Sequence, residues 1–273
     1  MRYLVGISGF KRSGKNTFAD VLRNVAHERG LAFVAVAFAD PLRRAAAAAY
    51  GVDVSNFTDD TKKDTVCEAW GITYRQMLIN LGEAMRSVDA DHWVKTLRQQ
   101  VLQDRLLVSA PTDTGPTDAW CRLDRLSQYT LNGKPLRLLI AVTDVRRVNE
   151  AAAVHDLGGV NVLVRRPGVV WDGHVNEELM HWAGQQRVFS FHGCVYKNGQ
   201  LCYNEATTLT LGHNEAASYQ QTFPATRPSV AGRAVFDHQL DNDAASVEAT
   251  MTSMRRHAEV VVEMATRQQS RSS

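Results

Sequence analysis

The feature that most constrains the fold of this sequence is a glycine-rich segment close to its beginning. Gly9–Thr17 reads GFKRSGKNT and fits the pattern G-x-x-x-x-G-K. The apolar run Arg2–Ser8 precedes it, and apolar residues at helical spacing follow over Thr17–Glu28. A second apolar run, Leu31–Phe38, is predicted to be another strand. Strand, glycine loop, helix and strand in this order predict a βαβ unit, and hence an α/β fold with a parallel sheet.

This segment has the chemistry of a loop that binds phosphate groups. Glycines let the backbone wrap closely, its N–H groups form an anion-binding nest, and the following helix points its positive end at the anion. Lys15 would then reach the β- and γ-phosphates of a nucleotide. Asn16 stands where the pattern normally has a hydroxyl that binds Mg²⁺, so Thr17 or a water would take that part. A glycine-rich turn without this function is the alternative.

Composition places the chain among ordinary globular proteins. Its 273 residues are 44% hydrophobic and 22% charged, and 31 Lys and Arg against 29 Asp and Glu leave a net charge of +2. That balance argues against a protein that mainly neutralises a nucleic-acid backbone. No run approaches the roughly 20 apolar residues of a membrane span, and the four cysteines form no CxxC pair. We therefore expect a reduced, cytosolic setting and no membrane partner.

The rest of the chain alternates predicted helices and strands. Helices are predicted over 41–50, 73–88, 91–107, 149–157 and 244–265, and strands over 138–142 and 160–164. Prolines and glycines between 111 and 135 predict a long loop or insertion, and residues 183–234 show no clear period. Histidine, tryptophan and glutamate crowd 171–182, where a helical surface or lid is favoured over a metal site.

Charged side chains follow three of the predicted strands. Asp40 comes after the second strand, where it would orient an acceptor hydroxyl or cap a helix that starts at Pro41. Asp144 follows the strand 138–142, where it would hold Mg²⁺ or its water, or simply stand in a turn. The pair Arg165-Arg166 ends the next strand, where it would clamp a phosphate or lie on a solvated surface.

Four blocks, in the same order along the chain, resemble the deoxynucleoside monophosphate kinase family of tailed bacteriophages. The blocks are Gly9–Thr17; Tyr74–Gly82 with Arg86 and Trp93-Val94; Ala141–Arg146 with Asn149-Glu150-Ala151; and Val164–Gly168 with His174–Glu177. A weaker fifth match is DHQLDND at Asp237–Asp243, which is similar to a strand and Asn-Asp loop near the adenine site of that family.

The resemblance implies a three-layer P-loop kinase fold with a central parallel sheet and helical acceptor and lid elements. It implies a single domain over 1–273 with insertions at 111–136 and 179–234. It also implies transfer of the γ-phosphate of ATP, with Mg²⁺, to the 5′-phosphate of a deoxynucleoside monophosphate. Such a reaction needs mainly positioning and electrostatic stabilisation from the protein.

The resemblance carries residue roles over position by position. The catalytic residues that it implies are Lys15, Asp40, Arg146 and Arg165. Of the arginines, Arg146 and Arg165, together with Arg166, are implied to neutralise the charge that develops on the transferred group. The residues implied to hold ATP are Gly9, Lys11, Arg12, Ser13, Gly14, Lys15, Asn16, Thr17 and Asn242. Those implied to face the acceptor nucleotide are Arg43, Arg75, Arg86, Asp144, Arg166, His174 and Glu177, and the implied metal ligands are Thr17 and Asp144. A polar helix face is the plainer interpretation of Arg75 and Arg86.

Other functions stay open at this point. The same fold could phosphorylate a hydroxymethylated pyrimidine in phage DNA, which the net charge disfavours without excluding. A non-catalytic nucleotide-binding switch would need fewer Arg and Asp residues at strand ends. Dephospho-coenzyme A kinase, a related fold, fits the Asp40 region and not the block from Arg75 to Trp93. The resemblance also implies the cytoplasm of an infected bacterium, and a homodimer is left open.

Overall fold

The computed structural model describes residues 1–103, 105–112, 115–131, 133–169, 194–197, 200–203, 236–242 and 246–272. These residues form a mixed α/β architecture with a mostly parallel sheet, which confirms the predicted fold class. The chain divides into two compact units. The first unit comprises Met1–Tyr3 and Leu22–Val145, and the second comprises Leu4–Val21 and Arg146–Ser273.

The elements follow one another along the chain with these bounds. The strands are β1 (Arg2–Ser8), β2 (Ala32–Val36), β3 (Val66–Cys67), β4 (Ile72–Thr73), β5 (Arg105–Thr112), β6 (Gly115–Arg122), β7 (Thr130–Leu131), β8 (Lys134–Pro135), β9 (Leu138–Val142), β10 (Val160–Arg165), β11 (Cys194–Lys197), β12 (Gln200–Tyr203) and β13 (His238–Asp241). The helices are α1 (Lys15–Glu28), α2 (Ala39–Tyr50), α3 (Ser55–Thr58), α4 (Tyr74–Val88), α5 (His92–Gln103), a 3₁₀ helix (Leu123–Gln128), α6 (Val148–Asp156) and α7 (Val247–Ser272). Among the described residues, no helix combines the length and the hydropathy that a membrane span needs.

In the second unit, three parallel strands lie in the order β13-β10-β1. Val5 of β1 is opposite Val160, and Val162 is opposite His238. Strand β10 is buried from Val160 to Val164, as expected of a parallel strand that is covered on both faces. Helix α6 packs on β10, and α7 packs on β10 and β13. Because these strands are parallel, their carboxyl ends lie at the same edge.

In the first unit, the strand order is β9-β2-β5-β6. Strands β9 and β2 are parallel, with Ala32 opposite Leu138 and Val36 opposite Val142. All residues of β9, LLIAV, are buried. Strand β5 is antiparallel to both of its neighbours. Helices α2, α4 and α5 pack against one another, and beside them lies a small buried cluster of Ala46, Phe57, Cys67 and Met77.

The strands predicted at 2–8, 138–142 and 160–164 are confirmed, but two other predictions are wrong in detail. The helix predicted over 91–107 ends at Gln103, and β5 begins at Arg105. The first part of the loop predicted at 111–136 belongs to the β5–β6 hairpin, whose two prolines, Pro111 and Pro116, are paired next to the turn. The 3₁₀ helix and the short strands β7 and β8 follow. Strand β6 is last in the strand order, and an edge strand tolerates a missing N–H group. The predicted parallel sheet is therefore extended by two antiparallel strands.

The insertion predicted at 179–234 lies outside the described residues except for β11 and β12, which form an antiparallel pair.

Candidate functional site

The glycine-rich loop connects β1 to α1. Strand β1 ends at Ser8, and helix α1 begins at Lys15. Gly9 and Gly14 have φ angles of +151° and +101°, which residues with a side chain rarely adopt. A Cβ atom at Gly9 would also collide with the carbonyl oxygen of Val164. The loop therefore depends on glycine at both positions that the sequence pattern requires.

Lys15 folds back over the loop that precedes it. Its Nζ donates to the carbonyl oxygens of Gly9 and Phe10, at 2.5 and 2.6 Å. Lys11 and Arg12, in the same loop, are exposed. Arg12 has a φ of +66°, a conformation that is uncommon outside glycine and that collects at functional sites. A short loop that carries three cationic side chains is suited to an anionic ligand.

Ser13 is the buried member of this loop. It is 1% exposed, and its Oγ has no hydrogen-bond partner among the described residues. A buried hydroxyl without a partner is costly, and a ligand that forms a hydrogen bond with it would remove that cost. The side-chain-free glycines, the strained backbone and the cations fit a polyphosphate, so the residues of this loop fit the phosphates of ATP.

Asn242, directly after β13, contacts the same loop. Its Nδ2 donates to the Ser13 carbonyl oxygen at 3.0 Å, and its backbone N–H donates to the Arg165 carbonyl oxygen at 2.7 Å. A Cβ atom at Gly14 would lie 2.8 Å from Asn242 Nδ2 and 3.1 Å from Met254 Cε. The asparagine that was predicted to hold ATP near the adenine thus touches the phosphate loop itself.

Two of the predicted phosphate-neutralising arginines follow one another at the carboxyl end of β10. Arg165 is the last residue of the strand, and its Nε lies 3.9 Å from Oδ1 of Asp241. Arg166 is the next residue, and both arginines are exposed. Their positions leave the guanidinium groups accessible at the strand edge where the phosphate loop also begins.

The third such arginine, Arg146, is held by a glutamate to which the sequence had given no role. The backbone N–H groups of Arg146 and Arg147 donate to Glu150 Oε2, at 2.8 and 3.1 Å. Glu150 is 5% exposed and completes a capping box at the start of α6. The signal that could have found it is a glutamate three residues after a helix boundary. Glu150 therefore fixes the backbone conformation of Arg146, directly before α6.

In the first unit, Asp144 and Asp40 both hold the beginning of α2. Asp144 accepts from the backbone N–H groups of Phe38 and Ala39, at 2.6 and 2.9 Å. Asp40 accepts from the Ala37 N–H at 2.8 Å. The first N–H groups of a helix have no partner inside it, so Asp144 stabilises this helix start, and Asp40 ties it to the residue before the N-cap.

The helix cap predicted at Asp40 is wrong by position. Helix α2 begins at Ala39, ahead of Pro41, and the N-cap residue Phe38 has no side-chain cap. Asp40 lies in the first turn and reaches back along the chain, and its second oxygen accepts from Arg43 Nη1 at 2.8 Å. Because an ionised carboxylate has about four acceptor positions, Asp40 can accept hydrogen bonds in addition to these two.

Arg75 and Arg86 lie on the same face of α4, roughly three turns apart. Arg75 forms two hydrogen bonds with Asp64, at 2.5 and 3.1 Å. Arg86 Nη1 lies 2.8 Å from Glu83 Oε1. Like Arg43, each of these predicted acceptor-binding arginines therefore has a carboxylate partner. Ion pairs that water reaches contribute little free energy, so a phosphate can take the place of the carboxylate.

Gly82, in the same block of α4, brings three helices close together. A Cβ atom at this position would lie 3.3 Å from the side chain of Leu42 in α2. The indole Nε1 of Trp93 in α5 donates to the Gly82 carbonyl oxygen at 3.2 Å. A groove of about 490 Å³ lies between these helices, and its lining includes Pro41, Ala45, Leu81, Met85 and Trp93.

The predicted metal ligands occupy separate elements. Thr17 is exposed in the first turn of α1, as is Asn16, and Asp144 follows β9. The described residues contain no group of three or more His, Cys, Asp or Glu side chains that could hold a metal ion. Mg²⁺ in phosphate-transfer sites binds one or two carboxylates together with substrate phosphates, so it needs no such group. His174 and Glu177 lie outside the described residues.

Comparison with known proteins gives one relative in sequence and weak likenesses in structure. No family model matches the chain. A protein of Acanthamoeba polyphaga mimivirus, provisionally named a deoxynucleotide monophosphate kinase, is 28% identical over 171 residues, which cover 62% of this chain and 77% of the viral protein. A gluconokinase from Sinorhizobium meliloti aligns over 100% of both chains with 12% identity and a TM-score of 0.31. A sugar kinase from Janibacter aligns over 98% of both chains with 11% identity and a TM-score of 0.30. The viral relative and the phosphate loop together support a kinase.

Proposed function

We propose that this chain is a nucleotide kinase that transfers the γ-phosphate of ATP to the 5′-phosphate of a deoxynucleoside monophosphate. The observation that carries the proposal is the loop between β1 and α1. Two of its glycines have positive φ, Lys15 folds over its carbonyl groups, and the hydroxyl of Ser13 is buried without a partner among the described residues. The acceptor is supported by the blocks of resemblance and by the name of the mimivirus relative.

The reaction asks the protein mainly for positioning. The bond between the γ-phosphorus and its bridging oxygen breaks, and a bond from an acceptor phosphate oxygen to that phosphorus forms, which gives ADP and a deoxynucleoside diphosphate. The loop N–H groups and Lys15 would hold the donor phosphates. Arg146 and Arg165 would neutralise the charge on the transferred group, with Arg166 beside them. Thr17 and Asp144 would hold Mg²⁺, which reduces the negative charge of the phosphates when bound.

Acceptor binding would proceed by exchange of ion-pair partners. Arg43, Arg75 and Arg86 each hold a carboxylate in this structure. An acceptor phosphate, with its greater charge and matching geometry, would replace those carboxylates on the guanidinium groups. The net charge of the chain is only +2, although its proposed ligands are strongly anionic. Arginines that are paired with carboxylates until the ligand arrives fit that small net charge. Asp40 would then be released from Arg43 to orient the acceptor.

The test is a transfer assay with ATP that is radiolabelled in the γ-phosphate. The acceptors are each deoxynucleoside monophosphate, each ribonucleoside monophosphate, dephospho-coenzyme A and DNA that contains hydroxymethylated pyrimidine. We expect label in deoxynucleoside diphosphates. Label only in DNA, or only in dephospho-coenzyme A, would contradict the proposed acceptor, and ATP binding without any transfer would favour a nucleotide-binding switch.

The bacteriophage source, the cytoplasm of an infected bacterium, a homodimer and the roles of His174 and Glu177 stay predictions from the sequence.

A further inference from the structure

Asn242 is the residue at which the phosphate loop and two strand ends of the second unit meet. It directly follows β13, at the edge where β1 and β10 also end. Its side chain donates to Ser13 in the loop, and its backbone donates to Arg165 at the end of β10. Two different groups of one residue therefore hold two elements of the proposed site.

The hydrogen bond to Ser13 fixes the direction of a neighbouring N–H group. The Ser13 carbonyl and the Gly14 N–H belong to one planar peptide unit, in which they point in opposite directions. While Nδ2 of Asn242 holds the carbonyl oxygen at 3.0 Å, the Gly14 N–H must point away from Asn242. Glycine adopts φ of either sign with ease, so the peptide beside Gly14 is one that can rotate if it is not held.

Close packing restricts Asn242 in turn. Its Nδ2 lies 2.8 Å from the place that a Cβ atom of Gly14 would take, and Met254 Cε lies 3.1 Å from the same point. Met254 comes from α7 and is 1% exposed. Gly14 therefore leaves just enough room for the amide group, and the buried methionine limits how far the loop can shift toward α7.

We infer that Asn242 is a positioning residue for the phosphate loop, which it holds so that the Gly14 N–H faces the donor phosphates. The inference rests on the proposed function, because it concerns how the same loop binds ATP. It differs from the role that the sequence resemblance implied, in which this asparagine belongs to the adenine site. A positioning residue acts on the phosphates through the loop, whereas an adenine contact acts only on a ligand that has a base.

The two roles are separated by binding of inorganic tripolyphosphate, which has phosphates and no adenine. Calorimetric titration would compare tripolyphosphate and ATP on the wild-type protein, on Asn242→Ala and on the matched control Asn80→Ala. Asn80 is an exposed asparagine of α4 whose Oδ1 accepts from Gln76. We expect Asn242→Ala to weaken both ligands by the same factor, about tenfold, as for the loss of one hydrogen bond. The control should leave both affinities unchanged.

Each other result contradicts the inference. If Asn242→Ala weakens ATP and leaves tripolyphosphate unchanged, the residue is an adenine contact. If neither affinity changes, the hydrogen bond to Ser13 has no part in binding. Asn242→Leu is similar in size to the wild-type residue but cannot donate a hydrogen bond. It should weaken ATP and tripolyphosphate by the same factor, and it replaces the alanine variant if that variant does not fold.

The test is also distinguishable from a failure of the proposed function. A wild-type protein that binds both ligands but phosphorylates no acceptor would contradict the kinase, while the comparison of the two affinities still decides the role of Asn242. A wild-type protein that binds neither ligand would overturn both proposals.

Discussion

At their carboxyl ends, strands β10 and β13 meet the phosphate loop, whereas at their amino ends they are joined by buried side-chain hydrogen bonds. The carboxyl end carries the exposed Arg165 and the loop residue Ser13, whose hydroxyl has no partner among the described residues. At the amino end, Asp237 Oδ2 accepts from the Asn161 N–H and hydrogen-bonds His155 Nε2, each at 2.7 Å. The side chains of His155 and Asp237 are only 4% and 12% exposed.

The comparison indicates that the carboxyl ends of these strands serve ligand binding and that their amino ends contribute to the stability of the fold. The amino end joins β10, β13 and α6, since Asn161 Nδ2 also donates to the Ala151 carbonyl oxygen at 2.8 Å. Asn161 Oδ1 is buried without a partner among the described residues, and nothing in the structure explains it. Backbone strain collects where ligands bind, which is usually at the carboxyl ends of parallel strands, and the positive φ of Arg12 lies at that end. Changes at the two ends should therefore affect different measurements.

The largest effect is expected at Lys15. Lys15→Met removes the ammonium group and keeps the aliphatic chain, so turnover should fall about 10²–10³-fold, as for the loss of one preorganised charge. Stability should change by less than about 1 kcal/mol, since the two carbonyl groups to which Lys15 donates lie in its own loop, at a partly exposed site. Steady-state kinetics and thermal unfolding would measure the two. Lys95→Met, at an exposed lysine that pairs with Asp89, is the control. An unchanged rate would remove Lys15 from the mechanism.

The opposite outcome is expected for Asp237. Asp237→Ala leaves the Asn161 N–H without its acceptor and His155 without its partner, so we expect a loss of about 2–3 kcal/mol in the free energy of unfolding, as for buried polar groups that lose a hydrogen-bond partner. Urea denaturation would measure it, and the affinity for ATP at a temperature where the variant is folded should not change. Glu259→Ala breaks a partly exposed pair with Arg255 and should cost less than about 1 kcal/mol. If Asp237→Ala weakened ATP binding and left the stability unchanged, the amino end would serve ligand binding rather than stability, contrary to our assignment.

The same contrast explains how far the sequence could predict this molecule. Local signals were sufficient for β1, the glycine loop and β9, because glycine spacing and unbroken apolar runs depend on neighbouring residues. The partners of Asp144 could not be predicted, since Phe38 and Ala39 lie more than a hundred residues away along the chain. His155 and Asp237 are separated by 82 residues, and the block of resemblance that contains Asp237 gives no sign of its partner. The β5–β6 hairpin was missed because prolines near its turn hid the strands.

Gly14 should give a smaller effect that is measurable in both properties. Gly14→Ala forces a φ of +101° on alanine and places its Cβ 2.8 Å from Asn242 Nδ2. We expect about 1–2 kcal/mol of destabilisation and weaker binding of ATP, since the loop must shift. Gly30→Ala is the control, because Gly30 has a φ of +68° with no atom within 4 Å of the added Cβ. It should lower stability by about 1 kcal/mol and leave ATP affinity unchanged. Equal ATP affinities in the two variants would contradict the close fit at Gly14.

The smallest effect is a dependence of stability on pH at the amino end of β13. His238 Nε2 lies 2.6 Å from His257 Nδ1, which joins the strand to α7. Burial and the neighbouring His257 lower the pKa of His238. Burial also lowers the pKa of His257, with a further contribution from Arg256, while Asp241 opposes the shift.

Because both pKa values are lowered in the folded state, the unfolded chain takes up protons first as the pH falls. This contribution to stability is therefore present above about pH 6.5, the pKa of an unfolded histidine, and is lost as the pH falls through the folded-state values. Both histidines are partly exposed, so the loss should be less than about 1 kcal/mol. Urea midpoints at about pH 7.5 and 5.5 should differ more for the wild-type protein than for His257→Gln. His27, whose pKa is also lowered by burial, contributes equally to both proteins. An identical pH dependence in the two would show that His257 does not contribute to it.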